Sequence, residues 1–146
     1  MINAREALKI TAKSEYEKEK ERIKKLLISS ATDFGYSICL LGSNEYLPKI
    51  LDELGCVYNK EKSVVALTQY SKKDSFMEDL VLDVERNKRE LLEAVETEII
   101  ESAEKCNRST VFSVANKYQS KWVMNKLLSN NFEVSLNQED DMIISW

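Results

Sequence analysis

Residues 36–70, YSICLLGSNEYLPKILDELGCVYNKEKSVVALTQY, carry the pattern that decides the fold. Tyr36-Ser37-Ile38-Cys39-Leu40-Leu41 is a short apolar run with strand-forming residues. Gly42-Ser43-Asn44 is a turn, and Glu45 to about Leu54 is a short helix. Pro48, the single proline, falls near its first turn, where a missing N–H does little harm. Gly55 is placed as a left-handed stop for that helix. Cys56-Val57-Tyr58 and Val64 to Tyr70, joined near Lys60-Glu61-Lys62, read as a β-hairpin. Upstream, Asn3-Ala4-Arg5-Glu6 is a capping box that opens a helix to about Thr32, with Ile23, Leu26, Leu27 and Ser30 on one face. The order is α-β-α-β-β.

The same order then returns. Ser75-Phe76-Met77-Glu78 is a second capping box, opening a helix to about Cys106. Thr110 to Ala115 is a strand. Ser120 is placed as the cap of a short helix to about Ser129, closed by Asn130-Asn131. Phe132 to Leu136 and Met142 to Trp146 form a second hairpin around Asn137 to Asp141. Residues 23–70 align with 99–146 without a gap, at an offset of 76. Ile23 meets Ile99, Tyr36 meets Phe112, Ile38 meets Val114, Tyr46 meets Trp122, Leu51 meets Leu127 and Leu67 meets Ile143. Only three aligned pairs are identical, so the repeat lies in residue character and element order. The expectation is an α+β tandem pseudo-repeat, residues 1–72 and 73–146, each copy a three-stranded sheet packed by helices.

The two long helices, each of roughly 30 residues and about 45 Å, outreach such a sheet. Phe76, Met77, Leu80, Val81 and Val84 form an apolar face at the start of the second, and Ala4, Ala7, Leu8 and Ala12 a weaker one in the first. These faces either pack within the chain or form an oligomer or partner surface.

Bulk composition excludes several classes. The chain has 146 residues, 43% of them hydrophobic and 32% charged, with a net charge of −4. A phosphate-backbone binder needs clustered Lys and Arg, so nucleic acid is not the expected partner. No cationic start followed by an apolar run marks a signal peptide, and no stretch has the roughly 18 apolar residues of a membrane span. The three cysteines, Cys39, Cys56 and Cys106, sit among apolar residues and read as buried free thiols of a reducing cytoplasm. Histidine is absent and glycine occurs only three times. That removes His-based nucleophile arrangements, most zinc sites and any glycine-rich phosphate loop. A carboxylate-based enzyme is open in form, but the best acidic cluster, Glu139-Asp140-Asp141, reads as a solvated hairpin turn. No catalytic residues, metal ligands or cofactor are assigned, and the chain is read as non-enzymatic.

Ligands of α/β units favour the strand-to-helix turns, where helix N-termini offer free N–H groups. In the first copy the candidates are Ser43, Asn44, Tyr46 and Lys49. In the second they are Lys117, Tyr118, Ser120, Lys121 and Trp122. Hydroxyls, amides, an aromatic face and lysines together suit a ligand with a base and a phosphate. The competing reading makes Ser43, Asn44 and Ser120 helix caps and packs Tyr46 and Trp122 on the sheets. Duplication implies that such sites come as a pseudo-symmetric pair, or that one lies at an interface the long helices build.

Several short motifs resemble a group of small proteins encoded by phages and prophages of Gram-positive bacteria. They are Asn3-Ala4-Arg5-Glu6-Ala7 opening a Lys/Glu-rich helix, the Tyr36-Ser37-Ile38 strand, Leu54-Gly55-Cys56-Val57-Tyr58, and the terminal Ile143-Ile144-Ser145-Trp146. In that group a single αβαββ unit commonly ends in an Ile-x-Trp-like strand. The second copy departs from it, with Asn130-Asn131-Phe132 where the group tends to Leu-Gly-aromatic. The resemblance implies a phage accessory protein of the host cytoplasm that counters host defence by binding, with sequestration of a nucleotide-derived immune signal as the leading form. The alternatives are a virion-associated protein or an inhibitor of a protein partner, assembled through the long helices.

Overall fold

The computed structural model describes residues 1–40 and 45–146. Their elements are α1 (Ala4–Thr32), β1 (Ser37–Cys39), α2 (Leu47–Leu54), β2 (Cys56–Asn59), β3 (Val64–Tyr70), α3 (Phe76–Glu104), β4 (Ser109–Phe112), α4 (Lys117–Ser129), β5 (Glu133–Leu136) and β6 (Met142–Ser145). The architecture is the expected α+β tandem of α-β-α-β-β units. Each unit has a three-stranded antiparallel sheet with its last strand in the centre, in the orders β1-β3-β2 and β4-β6-β5. Among the described residues no helix is long and apolar enough to cross a membrane.

Local chemistry accounts for the element ends. The Asn3 side chain accepts from the Glu6 N–H at 2.9 Å, and the Glu6 carboxylate accepts from the Asn3 N–H at 3.0 Å, a complete capping box. At α3 the Ser75 hydroxyl accepts from the Glu78 N–H at 3.1 Å, but Glu78 reaches one residue further back, to the Asp74 N–H at 2.8 Å. Pro48 lies at the start of α2, and Gly55 closes it in the left-handed region at φ 78. The cap of α4 is a correction. Asn116, not Ser120, stands at the N-cap and accepts from the N–H groups of Tyr118 and Gln119 at 2.9 and 3.1 Å. Its short amide reaches those donors from an extended backbone, so the helix starts a turn earlier and Ser120 lies inside it, buried.

The chain divides into two compact units, Met1–Leu82 and Asp83–Trp146. The division falls inside α3, beyond the 72/73 boundary of the element repeat, because the opening turns of α3 belong to the first core. There Met77 and Val81 join Ile23 and Leu27 of α1, Ile50, Leu51 and Leu54 of α2, and Val65 and Leu67 of β3, with Phe76 and Leu80 packed at the edge. Of the five residues read as an oligomer or partner face, Met77 and Val81 are buried in the first core, Phe76 and Leu80 are half-buried against it, and Val84 is buried. Packing within the chain thus takes up most of that face. The second core gathers Val95 of α3, Val123 and Leu127 of α4, and Met142 and Ile144 of β6.

Equivalences between the copies shift along the chain. Phe34 and Cys106, left-handed just past the long helices (φ 59 and 65), stand 72 positions apart. Gly55 and Asn131, which follow the short helices (φ 78 and 67), stand 76 apart, and Ser63 and Asp140 in the hairpin turns (φ 52 and 61) stand 77 apart. The ungapped register is therefore right at the end of the short helix and wrong in the sheets. Ile38 pairs with Val65 and Phe112 pairs with Met142, so Ile38 answers to Phe112 rather than Val114. Buried Val65 and Leu67 likewise answer to Met142 and Ile144. Loops absorb the length differences, and a slip of one residue in a strand exchanges its faces.

Cysteine burial is a second correction. Cys56 is buried, but Cys39 and Cys106 are exposed. Cys39 lies at the end of the edge strand β1, and Cys106 occupies the left-handed turn after α3.

Candidate functional site

In the second unit, three segments converge on a cleft of about 590 Å³. The segment after β4 contributes Ser113, Val114 and Ala115, and α4 contributes Lys117, Ser120, Lys121 and Met124. The β5–β6 hairpin closes it with Leu136, Glu139, Asp140 and Asp141. Strand pairing explains the meeting. Phe112 lies opposite Met142 in the β4–β6 ladder, so residue 113 leaves the sheet beside residue 141. There the Ser113 hydroxyl donates to Asp141 Oδ1 at 2.6 Å.

The acidic hairpin is built rather than loose. The Asn137 side chain accepts from the N–H groups of Glu139 and Asp141 at 2.9 and 3.0 Å, and the Asn137 N–H donates to the Asp141 carbonyl at 3.0 Å. Asp140 sits left-handed at φ 61, a conformation that Asp tolerates. Opposite this wall, Ser120 is only 8% exposed. No described residue pairs with its hydroxyl, and no buried side-chain polar atom among the described residues lacks a partner, so that hydroxyl opens to the cleft. The cleft is thus lined by Lys117, Ser120 and Lys121 of α4, by three acidic residues of the hairpin, and by the apolar Val114, Met124 and Leu136.

Of the residues expected at the second turn, Lys117, Ser120 and Lys121 line the cleft, whereas Tyr118 and Trp122 do not. Tyr118 is exposed on the helix, with the Lys117 ammonium 5.1 Å from its ring centre. Trp122 packs on the second core, with Lys88 and Lys126 at 5.4 and 5.5 Å from its ring. The hairpin carboxylates were legible only as a turn, and the signal that could have placed them is the strand register. Among the described residues no group of three or more His, Cys, Asp or Glu side chains is placed to hold a metal ion.

The first copy uses its equivalent residues differently. Ser43 and Asn44 lie outside the described residues. Tyr46 packs on the first core and meets Tyr16 of α1 edge-on, with centroids 5.7 Å apart. Its hydroxyl donates to Glu15 at 3.4 Å. Lys49 lies 5.0 Å from the Tyr16 ring. Tyr46 and Lys49 therefore tie α2 to α1, where the Tyr16 hydroxyl donates to Glu53 at 2.5 Å and Lys20 pairs with the same oxygen at 3.3 Å. The equivalent aromatics have different neighbours: Tyr16 of α1 packs on Tyr46, while Lys88 and Lys126 approach the Trp122 ring.

Burial, then the hydrogen bond and charge of Glu53, push the Tyr16 phenol up to about 12. The same hydrogen bond, with Lys20 adding to it, holds Glu53 below the ordinary carboxylate range. The linkage has a definite sign. Between the ordinary value of 10.0 and about 12 the folded chain keeps a proton that the unfolded chain has lost. Tyr16 therefore stabilises below that window and ceases to do so as pH rises through it. Glu53 stabilises above its ordinary range and ceases to do so as pH falls through its lowered value. The gap in melting temperature between the native chain and Tyr16→Phe is expected to be widest near neutral pH and to close towards both extremes. A gap that stays constant across the alkaline window would show that the phenol is not held in this way.

Comparison of the chain with protein-family models, with curated proteins and with solved structures finds no match.

Proposed function

We propose that the chain works by binding rather than catalysis, and that the cleft of the second unit takes a nucleotide-derived ligand. One observation carries the reading: lysines, acidic residues and the apolar Val114, Met124 and Leu136 line a single cleft. Phosphate oxygens match Lys117, Lys121 and the open Ser120 hydroxyl. The face of a base matches Val114, Met124 and Leu136, and its exocyclic amine and ring N–H donors match the carboxylates of Glu139 and Asp140. The separation of charge on the two walls orients such a ligand, since the acidic hairpin repels the phosphate towards α4. The volume lies in the range of sites for small organic ligands. In the setting implied by the resemblance to small phage-encoded proteins, the consequence of binding is sequestration of a host immune signal.

The test is calorimetry and thermal shift of the native chain with cyclic nucleotides and cyclic ADP-ribose isomers. A ligand present at a hundredfold excess over its Kd is expected to stabilise the fold by about 2.7 kcal/mol. Lys121→Glu is expected to weaken binding at least tenfold while leaving the unliganded melt unchanged, because an exposed lysine on a helix contributes little to stability. If none of these ligands shifts the melt, or if Lys121→Glu binds as the native chain does, the reading fails.

A further inference from the structure

The opening turns of α1 are a helix without tertiary cover. Residues 4–15 are exposed except for half-buried Ala7, and Leu8 is 70% exposed. A free helix this short is only marginally stable in water, so burying one of its faces would stabilise it. Two adjoining rows run along it at four-residue spacing. One is apolar, Ala4, Leu8 and Ala12; the other is charged, Arg5, Lys9, Lys13 and Glu17. Among the described residues none of these four charges makes an ion pair.

The second unit carries a counterpart. Between residues 90 and 104, α3 has six glutamates and no lysine or arginine. Two adjoining rows run along it as well. The charged row is Arg89, Glu93, Thr97 and Glu101, all exposed. The other is Leu92, Glu96 and Ile100, with Leu92 half-buried and Ile100 55% exposed. On the Leu92 side the neighbouring α4 contributes one cation, Lys126. Arg89, Glu93 and Glu101 make no ion pair among the described residues.

We propose that the chain self-associates, the opening turns of α1 in one copy packing antiparallel on residues 89–101 of α3 in a second copy. Both surfaces are exposed within a single chain, so a second copy supplies the match. The order of charges selects the direction. From its N-terminus the row on α1 reads plus, plus, plus, minus. From its C-terminus the row on α3 reads minus, uncharged, minus, plus. With Lys9 opposite Thr97, Arg5 meets Glu101, Lys13 meets Glu93 and Glu17 meets Arg89. Parallel packing would instead set Arg5 against Arg89 and Glu17 against Glu101. The reach also matches, since Arg5 to Lys13 and Glu93 to Glu101 each span eight residues, about 12 Å. In both helices the less charged row precedes the charged row by one residue, so antiparallel packing lays like row over like row and brings Leu8 beside Ile100. Rows of this spacing are the ridges of the commonest class of helix packing. A two-fold dimer makes the contact twice. Exposed ion pairs are weak singly and screened by salt, which makes the association modest and salt-sensitive.

The experiment is sedimentation velocity of the full chain across a concentration series, at low salt and at about 0.5 M salt. A reversible dimer is expected at low salt, with its Kd raised at least tenfold at high salt. One variant carries Arg5→Glu, Lys9→Glu and Lys13→Glu; another carries Glu93→Lys and Glu101→Lys. All five positions are exposed, so both variants should keep the native circular dichroism, and each alone should be monomeric. Mixed together they should form a heterodimer, because acid again faces base in both contacts. A native chain that stays monomeric at every concentration would overturn the proposal. So would a dimer that neither salt nor the variants weaken, or a mixture that fails to associate. A chain that remains monomeric but sediments with anionic vesicles would assign the basic row to a lipid surface and overturn it as well.

Discussion

Met77→Asp is expected to leave the first unit unfolded under conditions where the native chain is fully folded. Met77 has no exposed surface and lies in the same cluster as Ile23, Leu27, Ile50, Leu54 and Leu67. A carboxylate placed there loses its hydration and finds no cationic partner among these side chains, a cost of several kcal/mol. Domains of this size are stable by only about 5–15 kcal/mol. The milder Met77→Ala keeps the site apolar but opens a cavity, and is expected to cost about 2–5 kcal/mol. Leu82→Asp is the matched control: Leu82 is 47% exposed, and its replacement is expected to cost well under 1 kcal/mol. Urea denaturation with hydrogen exchange at the α1 and α2 amides measures all three. Both tryptophans, Trp122 and Trp146, lie in the second unit, so amide exchange rather than tryptophan fluorescence reports on the first. Native-like protection of α1 and α2 in Met77→Asp would mean that the opening of α3 is not part of the first core, and would restore its apolar face as a docking surface.

Gly55→Ala is the second large effect, expected to cost about 2–4 kcal/mol from two sources that add. The backbone at Gly55 is left-handed, φ 78, which costs a residue with a Cβ about 1 kcal/mol or more. The new Cβ also falls 2.5 Å from Ser75 Oγ and 2.7 Å from Ser75 Cβ, a contact that forces local displacement at about 1–3 kcal/mol. Ser75 has nowhere to go. Its hydroxyl donates to the Lys72 carbonyl at 2.7 Å and accepts from the Glu78 N–H at 3.1 Å, and it is 8% exposed. A single methyl group at the end of α2 therefore also disturbs the cap of α3. The double variant Gly55→Ala with Ser75→Gly removes the clash and should be less destabilised than the sum of the single changes. Strict additivity in chemical denaturation would show that crowding against Ser75 contributes nothing.

The turn at Gly55 shows how much of this protein was legible before its structure. Glycine after an amphipathic run, ahead of an apolar strand, reads as a left-handed stop, and it is one. Asn3 and Glu6 read as a capping box, and the hydrogen bonds are there. Such features depend on residues a few positions apart, whose geometry the backbone dictates. The candidate site was legible only in part. Lys117, Ser120 and Lys121 were found because they cluster around a helix start, although the cap itself is Asn116. Glu139, Asp140 and Asp141 were read as a solvated turn, since nothing local says what a hairpin tip faces. Trp122 and Tyr46 answer to each other in sequence but differ in surroundings, because α1 places Tyr16 against Tyr46 whereas α3 places Lys88 against Trp122.

By itself the sequence determined the class of fold, the duplicated element order, the long capped helices and the absence of histidine and of a glycine-rich loop. These follow from composition and from periodicities of about two and 3.6 residues, which any window of the chain displays. Only the tertiary structure decided that the opening turns of α3 belong to the first core, that the copies slip from an offset of 72 to 77 along their length, and that an acidic hairpin faces a basic helix across one cleft. Each of these depends on which distant surfaces meet. The free energy of such meetings comes from apolar burial, which rewards any matching pair of faces and does not name the partner.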